Sequence, residues 1–434
     1  MKKPQKKIKK GKTIAISLSP NATKRDVWIS IKTLFKPWTW KNGPEVIKLE
    51  DKFKEYLDIN HAVTFESGRG CLFAILKAMN IGEGDEVIVQ GYTCVVVSNS
   101  VLWTGAKPVY VDINEDDLNL NLEDLKSKIT DKTKAIITQS SFGQPNDLPE
   151  IMEIANEHGI KLIEDCAHSL GSEFDGRKLG TFGDAAFFSF GRDKIISSVH
   201  GGIAVTNDAE LATKLKDFKA KLKFQSSFRI FQHLMHPIIF SLVIPLYNVL
   251  NIGKIILVSA QKLRLISKVI QPDEKKGKQP KDLPSKFPNA LAKLALNQLE
   301  HLTFFNAHRI KLSNLYSERL ANLPVKLPPK IEGKKNVYLR YNIMVDDAKA
   351  LRKFAKEQNI LLGDWYDTVI APKYIDASEF EYKENMCPIA EKIAKEIVNL
   401  PTHHKVTEKD AERVCEVIQN FLNTQNHGDY DQTD

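Results

Sequence analysis

One lysine of the chain stands where it could act as a nucleophile. The stretch SFGRDKIISSVHGG, residues 189–202, follows an apolar run and places Lys194 between Ser189 and a pair of glycines. A lysine amine attacks carbonyl groups when its surroundings favour the uncharged form. The chain contains 62 Lys and Arg residues, so a solvated loop lysine is the alternative interpretation of this stretch taken alone.

Two other polar clusters follow short apolar runs. The stretch ESGRG, residues 66–70, is a glycine-rich turn before a helical pattern, so its backbone N–H groups can hold a phosphate and Arg69 can add a bidentate donor. The stretch IEDCAHS, residues 163–169, ends an apolar run at Asp165 and places His168 three residues later. Taken alone, these clusters are also compatible with an ordinary turn and a helix N-cap.

A single cofactor would use all three clusters. Pyridoxal phosphate needs a cradle for its phosphate, a carboxylate that keeps its ring nitrogen protonated, and a lysine that binds its aldehyde carbon. Ser189 and the 66–70 turn, Asp165 and Lys194 have these chemical properties. The glycines at 201 and 202 turn the chain into the next strand and leave room beside the cofactor.

The elements around these clusters predict a mainly parallel sheet. Short β-rich runs alternate with helical patterns such as Gly70–Met79 and Leu148–His158, which repeat apolar residues at i, i+3 and i+4. Such alternation indicates an α/β fold with helices on both faces, and ligands then bind at the carboxyl ends of the strands. The runs are AVTF, DEVIVQ, KPVYVDI, KAIITQ, IKLIEDC, AAFFSF and GGIAVT.

Composition favours a globular intracellular protein. The 434 residues are 42% hydrophobic, enough for two domains. The five cysteines are scattered without a CxxC pair, so neither a disulfide framework nor a metal site is expected. The basic start MKKPQKKIKKGK is not followed by the apolar core of a secretory signal. The formal charge of +8 favours anionic partners without indicating nucleic acid.

At this point the motifs resemble a known family. The order SGR, GDEVIVQGYTC, GAKPVYVDI, TKAIITQSSFG, IEDCAHSLGSEFDGRKLGTFGD, FSFGRDK and HGG is similar to the DegT/StrS family of sugar aminotransferases. The likeness runs from about Gly43 to about Leu422. It implies a fold-type-I pyridoxal-phosphate transferase, with a three-layer αβα large domain and a smaller C-terminal α/β domain, that acts as a homodimer.

The resemblance also implies roles for individual residues. Lys194 matches the catalytic lysine that binds the cofactor, Asp165 the partner of the ring nitrogen, and His168 the residue near the ring oxygen. Ser189 matches the phosphate-binding serine. The remaining cofactor-binding candidates are Arg69 and Gly70, which occupy the place of a small pair in the family, and Tyr92, the aromatic residue nearest to a stacking position that is Cys94 here.

The largest departure from the family is an insertion of roughly 45 residues by comparison with the family's usual length. It contains residues 230–253, which include no Lys, Arg, Asp or Glu and are long enough to cross a bilayer. Pro237 and Pro245 argue against a simple spanning helix, and basic residues flank the stretch on both sides. Two interpretations stay open: an apolar hairpin lying on an anionic membrane surface, or a buried lid or dimer-packing element.

The resulting prediction is a cytoplasmic enzyme, peripherally associated with the inner face of the membrane if the first interpretation holds. It transfers an amino group from glutamate or glutamine to a nucleotide- or lipid-linked keto-sugar in cell-surface polysaccharide or glycoconjugate biosynthesis. The alternatives are a dehydratase of the same family and a non-catalytic membrane-docked scaffold. The predicted segments are a basic tail and entry segment (1–40), the large domain (41–225), the insertion (226–282), the interdomain helix with the small domain (283–425), and a polar tail (426–434).

Overall fold

The computed structural model describes residues 11–17, 20–247 and 249–426. Most of the predicted basic tail and of the polar tail therefore lies outside the described residues. The strands, in chain order, are β1 (Ile14–Ala15), β2 (His61–Phe65), β3 (Glu86–Gln90), β4 (Thr93–Cys94), β5 (Lys107–Val111), β6 (Thr133–Gln139), β7 (Lys161–Asp165), β8 (Glu173–Phe174), β9 (Arg177–Lys178), β10 (Ala185–Ser189), β11 (Gly202–Thr206), β12 (Lys334–Lys335), β13 (Tyr341–Met344), β14 (Ile360–Leu361), β15 (Ile370–Ala371) and β16 (Ile397–Leu400).

The helices lie between and after these strands. In chain order they are α1 (Lys24–Leu34), α2 (Glu45–Leu57), α3 (Gly68–Ala78), α4 (Val95–Leu102), α5 (Leu122–Lys128), α6 (Leu148–Glu157), α7 (Ala209–Lys221), α8 (Ser227–Leu246), α9 (Ile252–Lys262), α10 (Asn289–Glu300), α11 (Leu302–Leu320), α12 (Ala348–Glu357), α13 (Pro388–Glu396) and α14 (Glu408–Asn426).

A seven-stranded sheet forms the centre of the fold, in the order β2-β11-β10-β7-β6-β3-β5. The strands from β10 to β5 run parallel, whereas β11 is antiparallel to both of its neighbours, β10 and β2. Each of these strands coincides with one of the β-rich runs of the sequence. Their near-continuous burial is what a sheet covered on both faces requires, and the predicted mainly parallel sheet is confirmed.

The helices that follow the strands have side-chain caps that fix where they begin. Ser67 accepts a hydrogen bond from the Gly70 backbone N–H at 3.1 Å and caps α3. Asp208 accepts from the backbone N–H groups of Glu210 and Leu211 and caps α7. These caps satisfy backbone donors that a helix start leaves free. The first turn of α3 is thereby held directly after β2, at the carboxyl edge of the sheet.

The chain after α10 builds a second, smaller core. The antiparallel pair of β13 and β16 packs with α11, α12 and α14 around a separate hydrophobic cluster that includes Leu312, Tyr341, Ile418 and Val398. Loops from this part return to the large domain, where β15 pairs with β4 in a separate two-stranded sheet. This pairing brings the segment before β15 across the carboxyl edge of the large sheet.

The insertion folds as a helical hairpin. Helices α8 and α9 pack against each other around Ile239, Val243 and Ala260. A Cβ on Gly253 would lie 2.4 Å from the Val243 carbonyl oxygen, so only glycine permits this close approach of the two helices. After α9, residues 263–285 return across the large domain toward β2.

Candidate functional site

The three polar clusters of the sequence meet in one cavity of about 450 Å³ at the carboxyl edge of the sheet. The first turn of α3, the end of β7 and the loop after β10 each contribute residues to it. The segment before β15 and the return segment of the insertion close the remaining sides. The lining residues include Ser67, Gly68, Arg69, Cys94, Gln139, Asp165, His168, Ser189, Arg192, Lys194, His200, Val269, Ile270, Trp365 and Tyr366.

The start of α3 forms a cradle suited to an anion. A Cβ on Gly68 would lie 3.1 Å from the Ser189 Cβ, and a Cβ on Gly202 would lie 2.7 Å from the Gly68 backbone nitrogen. Glycine at both positions lets the backbone of the helix start approach β10 and β11 closely. The free N–H groups and the dipole of a helix N-terminus favour a phosphate there, and the Ser189 hydroxyl is a neighbouring donor.

Asp165 lies at the end of β7 with its carboxylate facing the cavity. Its Oδ1 accepts a hydrogen bond from the Ala167 backbone N–H at 2.9 Å, and turns rather than a helix occupy the described residues 166–172. The alternative of a helix N-cap is therefore wrong. Burial raises the pKa of Asp165 to about 6, and hydrogen bonding to Ala167 and the nearby Lys194 charge oppose that increase.

Lys194 is half-buried in the loop between β10 and β11. Desolvation lowers the pKa of its amine, while Asp165 acts in the opposite direction. The amine nitrogen lies 5.2 Å from the centroid of the Trp365 ring. A lowered pKa increases the uncharged fraction of the amine, the state in which an amine attacks a carbonyl carbon.

Residues near the N-terminus and on α11 fix the lysine loop. Asn21 is buried, and its side-chain amide donates hydrogen bonds to the carbonyl oxygens of Lys194 and Ile195, the latter at 3.2 Å. Arg309 in turn donates to Asn21 Oδ1 at 2.7 Å. These contacts hold the backbone that carries the reactive amine, although their residues lie far from it in sequence.

His168 is stacked among aromatic rings. Its imidazole lies 5.6 Å from the Trp365 ring at 16° and 5.6 Å from the Phe142 ring at 27°. Its Nδ1 accepts from the Phe142 backbone N–H at 3.3 Å, so Nε2 carries the proton and donates to the Tyr366 hydroxyl at 3.3 Å. Burial drives the pKa of His168 well below its usual value, and the ring is neutral.

These residues belong to a chain whose sequence matches a known family over most of its length. A sequence profile of the DegT/DnrJ/EryC1/StrS aminotransferase family matches residues 26–239 and 259–419. The chain belongs to the DegT/DnrJ/EryC1/StrS aminotransferase family. The predicted family and enzyme class are confirmed, and with the family comes the predicted cofactor, pyridoxal 5'-phosphate.

Named proteins of similar sequence and structure support this assignment. The aminotransferase is 29% identical over 365 residues to the UDP-N-acetyl-3-dehydro-alpha-D-glucosamine 3-aminotransferase of Acidithiobacillus ferrooxidans, covering 84% of this chain and 85% of the relative. It is 26% identical over 398 residues to the GDP-perosamine synthase of Vibrio cholerae, covering 89% and 93%.

A solved structure from Streptococcus pneumoniae, in a PLP form, has a TM-score of 0.75 at 19% identity and covers 95% of this chain and 99% of its own. The predicted fold class is confirmed.

Two of the predicted cofactor-binding residues make contacts other than the expected ones. The Arg69 guanidinium forms an ion pair with Glu274 of the insertion and donates to the Val269 carbonyl oxygen at 2.9 Å. Tyr92 is fully buried, with its ring edge-on to Tyr366 at 5.6 Å, and Cys94 lines the cavity in its place. Gly70 packs directly against the Glu66 carboxylate, where a Cβ would lie 2.5 Å from Oε1.

The structure adds residues that sequence reasoning did not assign. Trp365 lies over Lys194, and Arg340 stacks on the same indole at 3.5 Å. Trp365 belongs to the stretch GDWYDTVIAP, and no local signal in it distinguishes the indole from a core aromatic. Arg192 donates two hydrogen bonds of 2.6 Å to Ser267 of the insertion.

The residues present fit pyridoxal phosphate. The glycines at the start of α3 leave backbone N–H groups open for a phosphate where a Cβ would be crowded, and Asp165 is a buried carboxylate suited to a ring N–H. Lys194 and neutral His168 lie in the same cavity. Within the described residues, no group of three metal-ligating side chains occurs.

Glu66, directly before α3, allows a prediction of pH-dependent stability. Burial raises the pKa of its carboxyl to about 7, although it accepts hydrogen bonds from the Ser285 N–H and the Ser67 hydroxyl. A carboxyl whose pKa is raised by folding costs stability once it ionises, so this cost is absent below about pH 4 and complete above about pH 7. We expect Glu66→Gln to raise the free energy of unfolding by about 2 kcal/mol at pH 8 and by much less at pH 5.

Denaturant unfolding at both pH values tests this prediction. The control is Glu153→Gln, which removes an exposed carboxylate from α6 and should change stability little at either pH. A Glu66→Gln gain that is equal at pH 5 and pH 8 would contradict the assigned ionisation.

Proposed function

We propose that the enzyme transfers an amino group from glutamate or glutamine to the keto group of a nucleotide-linked sugar during polysaccharide or glycoconjugate biosynthesis. The observation that carries the proposal is the convergence of Lys194, Asp165 and His168 on one cavity beside the α3 cradle. The names of the relatives support the substrate class, since one acts on a UDP-linked amino-sugar precursor and another is a GDP-perosamine synthase.

Pyridoxal phosphate, when bound, withdraws electrons from the carbon that loses or gains a proton. Lys194 would hold the cofactor, and its Nζ atom would carry the proton that the substrate carbon gains or loses. The Asp165 carboxylate would hold the proton of the ring nitrogen. The neutral His168 ring stays in place because its Nδ1 accepts from backbone and its Nε2 donates to Tyr366.

The small core and its loops supply the cover of the site. Trp365 and Tyr366 come from the segment before β15 and lie against His168. The Trp365 ring lies over the amine of Lys194 and shields it in part from water. Val269 and Ile270 of the insertion's return segment line the same cavity as Trp365 and Tyr366, so both segments would contact a sugar bound there.

Two features of the assembly complete the proposal. The enzyme acts as a homodimer, as the family resemblance implies, and sedimentation velocity tests this directly. It is cytoplasmic and associates peripherally with the inner face of the membrane through the insertion 226–282.

The predicted segment boundaries at 41, 226 and 283 remain predictions, which limited proteolysis can test.

Purified enzyme with UDP-, GDP- and dTDP-linked keto-sugars tests the function. With glutamate as donor, we expect 2-oxoglutarate and an amino-sugar to form in equal amounts. Borohydride reduction before digestion should attach the cofactor mass to the peptide that contains Lys194. Formation of a deoxy-sugar without amine would instead indicate the dehydratase, and failure to take up the cofactor would indicate the scaffold.

A further inference from the structure

We propose that the tip of the α8–α9 hairpin is a docking surface for an anionic lipid bilayer. The docking surface is defined as Leu242, Val249, Leu250, Ile252, Ile255 and Val258, together with Lys254 and, at the other end of α9, Lys262. The proposal specifies how the membrane location proposed above is achieved, and so rests on that part of the proposed function.

Exposed apolar residues are concentrated at this tip. Leu250 is 85% exposed, Ile255 61% and Leu242 54%. Their exposure does not come from loose packing, because Gly253 brings α9 against the Val243 carbonyl and the hairpin has its own small core. A well-packed element that leaves several large apolar side chains in water requires something to cover them.

The base of the hairpin has the opposite character. His233 and His236 are each 1% exposed, and the first half of α8 packs into the large domain beside α1 and α10. One helix of the described chain, Ser227–Leu246, has the length and composition of a membrane span, yet half of it is buried inside the protein. The structure therefore favours a hairpin that inserts at its tip over a helix that crosses the bilayer.

The charges of the insertion match an anionic surface. Residues 218–272 contain no Asp or Glu. They contain eight basic residues, namely Lys219, Lys221, Lys223, Arg229, Lys254, Lys262, Arg264 and Lys268. Lys219 pairs with Glu50 and Arg229 with Asp282, whereas Lys254 and Lys262 belong to the docking surface. Basic residues beside exposed apolar side chains attract the negatively charged cytoplasmic leaflet.

The same charges argue against a second copy of the chain as the occupant. A two-fold dimer contact places the same patch opposite itself. With basic residues and no carboxylates on this patch, such a contact would bring like charges together, which is unfavourable. A lipid surface provides the apolar environment and the opposite charge at the same time.

The docked tip is mechanically connected to the active site. Beyond α9, Ser267 accepts hydrogen bonds from Arg192, Glu274 pairs with Arg69, and the Glu274 carbonyl accepts from Asn99 at 2.9 Å. Val269 and Ile270, which lie between Ser267 and Glu274 in the sequence, line the cavity. Docking thus ties this wall of the cavity to an element held at the membrane surface, where a sugar substrate could be used.

Co-sedimentation of the holoenzyme with phospholipid vesicles tests the proposal. We expect binding to vesicles of 70% phosphatidylcholine and 30% phosphatidylglycerol, and weaker binding to pure phosphatidylcholine or in 0.5 M salt. The double variant Leu250→Ser, Ile255→Ser should bind at least about tenfold more weakly. Ile47→Ser, which removes an equally exposed isoleucine from α2, should bind as the wild type does.

Other outcomes would overturn the docking surface. If the wild type does not sediment with anionic vesicles, the tip is not a lipid-binding element. If the double variant instead converts a larger oligomer to a smaller one in sedimentation velocity, a second copy covers the tip. Both results can be distinguished from a failure of the proposed activity. The double variant should keep the wild-type rate of amino transfer in solution. A wild-type protein that binds vesicles but is inactive would contradict only the enzyme assignment.

Discussion

Replacing Lys194 with alanine should lower turnover in the glutamate half-reaction by at least about 10⁴-fold, because one side chain provides both the covalent attachment and the proton transfer. The fold should persist, since the side chain points into a cavity rather than into the close-packed core. Stopped-flow absorbance of the cofactor measures the rate, and circular dichroism checks the fold.

Two comparisons separate a catalytic role from a structural one. Lys356→Ala removes an exposed lysine from α12 and should leave turnover unchanged. Added methylamine should restore part of the Lys194→Ala rate, because a small amine can occupy the vacated position and carry the proton. Turnover of Lys194→Ala within a few fold of wild type would overturn the assignment of the catalytic lysine.

Asp165→Asn should reduce turnover by about 10²- to 10³-fold while weakening cofactor binding by no more than about tenfold. Asparagine has nearly the same shape, and its Oδ1 can keep the hydrogen bond from the Ala167 N–H. It cannot hold a proton on the ring nitrogen by charge, so the effect appears in the chemical step. Single-turnover kinetics and a cofactor titration measure the two quantities.

The matched control is an aspartate with the same local geometry on the surface. Asp376 accepts a hydrogen bond from the Ser378 backbone N–H, two residues on, as Asp165 does from Ala167. Asp376→Asn should alter neither turnover nor cofactor affinity. Equal losses of turnover and cofactor affinity in Asp165→Asn would identify Asp165 as a structural residue of the β7 turn.

The sequence alone determined the central sheet and the main chemical groups. Each strand of the large sheet contains a short run rich in apolar and β-branched or aromatic residues, so local pattern was sufficient to predict it. Strands of a parallel sheet end at one edge, and this geometry alone brings Asp165 and Ser189 together. Lys194 follows from its place in the next loop.

Other features depend on contacts between residues distant in sequence. Arg69 was expected to bind phosphate, but Glu274, 205 residues away, provides a buried carboxylate that pairs with its guanidinium. Tyr92 was the nearest aromatic to the stacking position, yet the strand pairing of β4 with β15 turns it into the core and leaves Cys94 at the cavity. Local periodicity contains no information about either partner.

Within the insertion, too, some features follow from the sequence and others depend on tertiary packing. Its sequence determined an uncharged apolar stretch with basic flanks, and this pattern is equally compatible with a buried lid and a membrane hairpin. Tertiary packing distinguished its two ends, since α8 begins against the large domain whereas its last turns and α9 project with Leu250 and Ile255 exposed. Burial depends on which surfaces the fold places opposite a helix, and hydropathy along the chain cannot specify those surfaces.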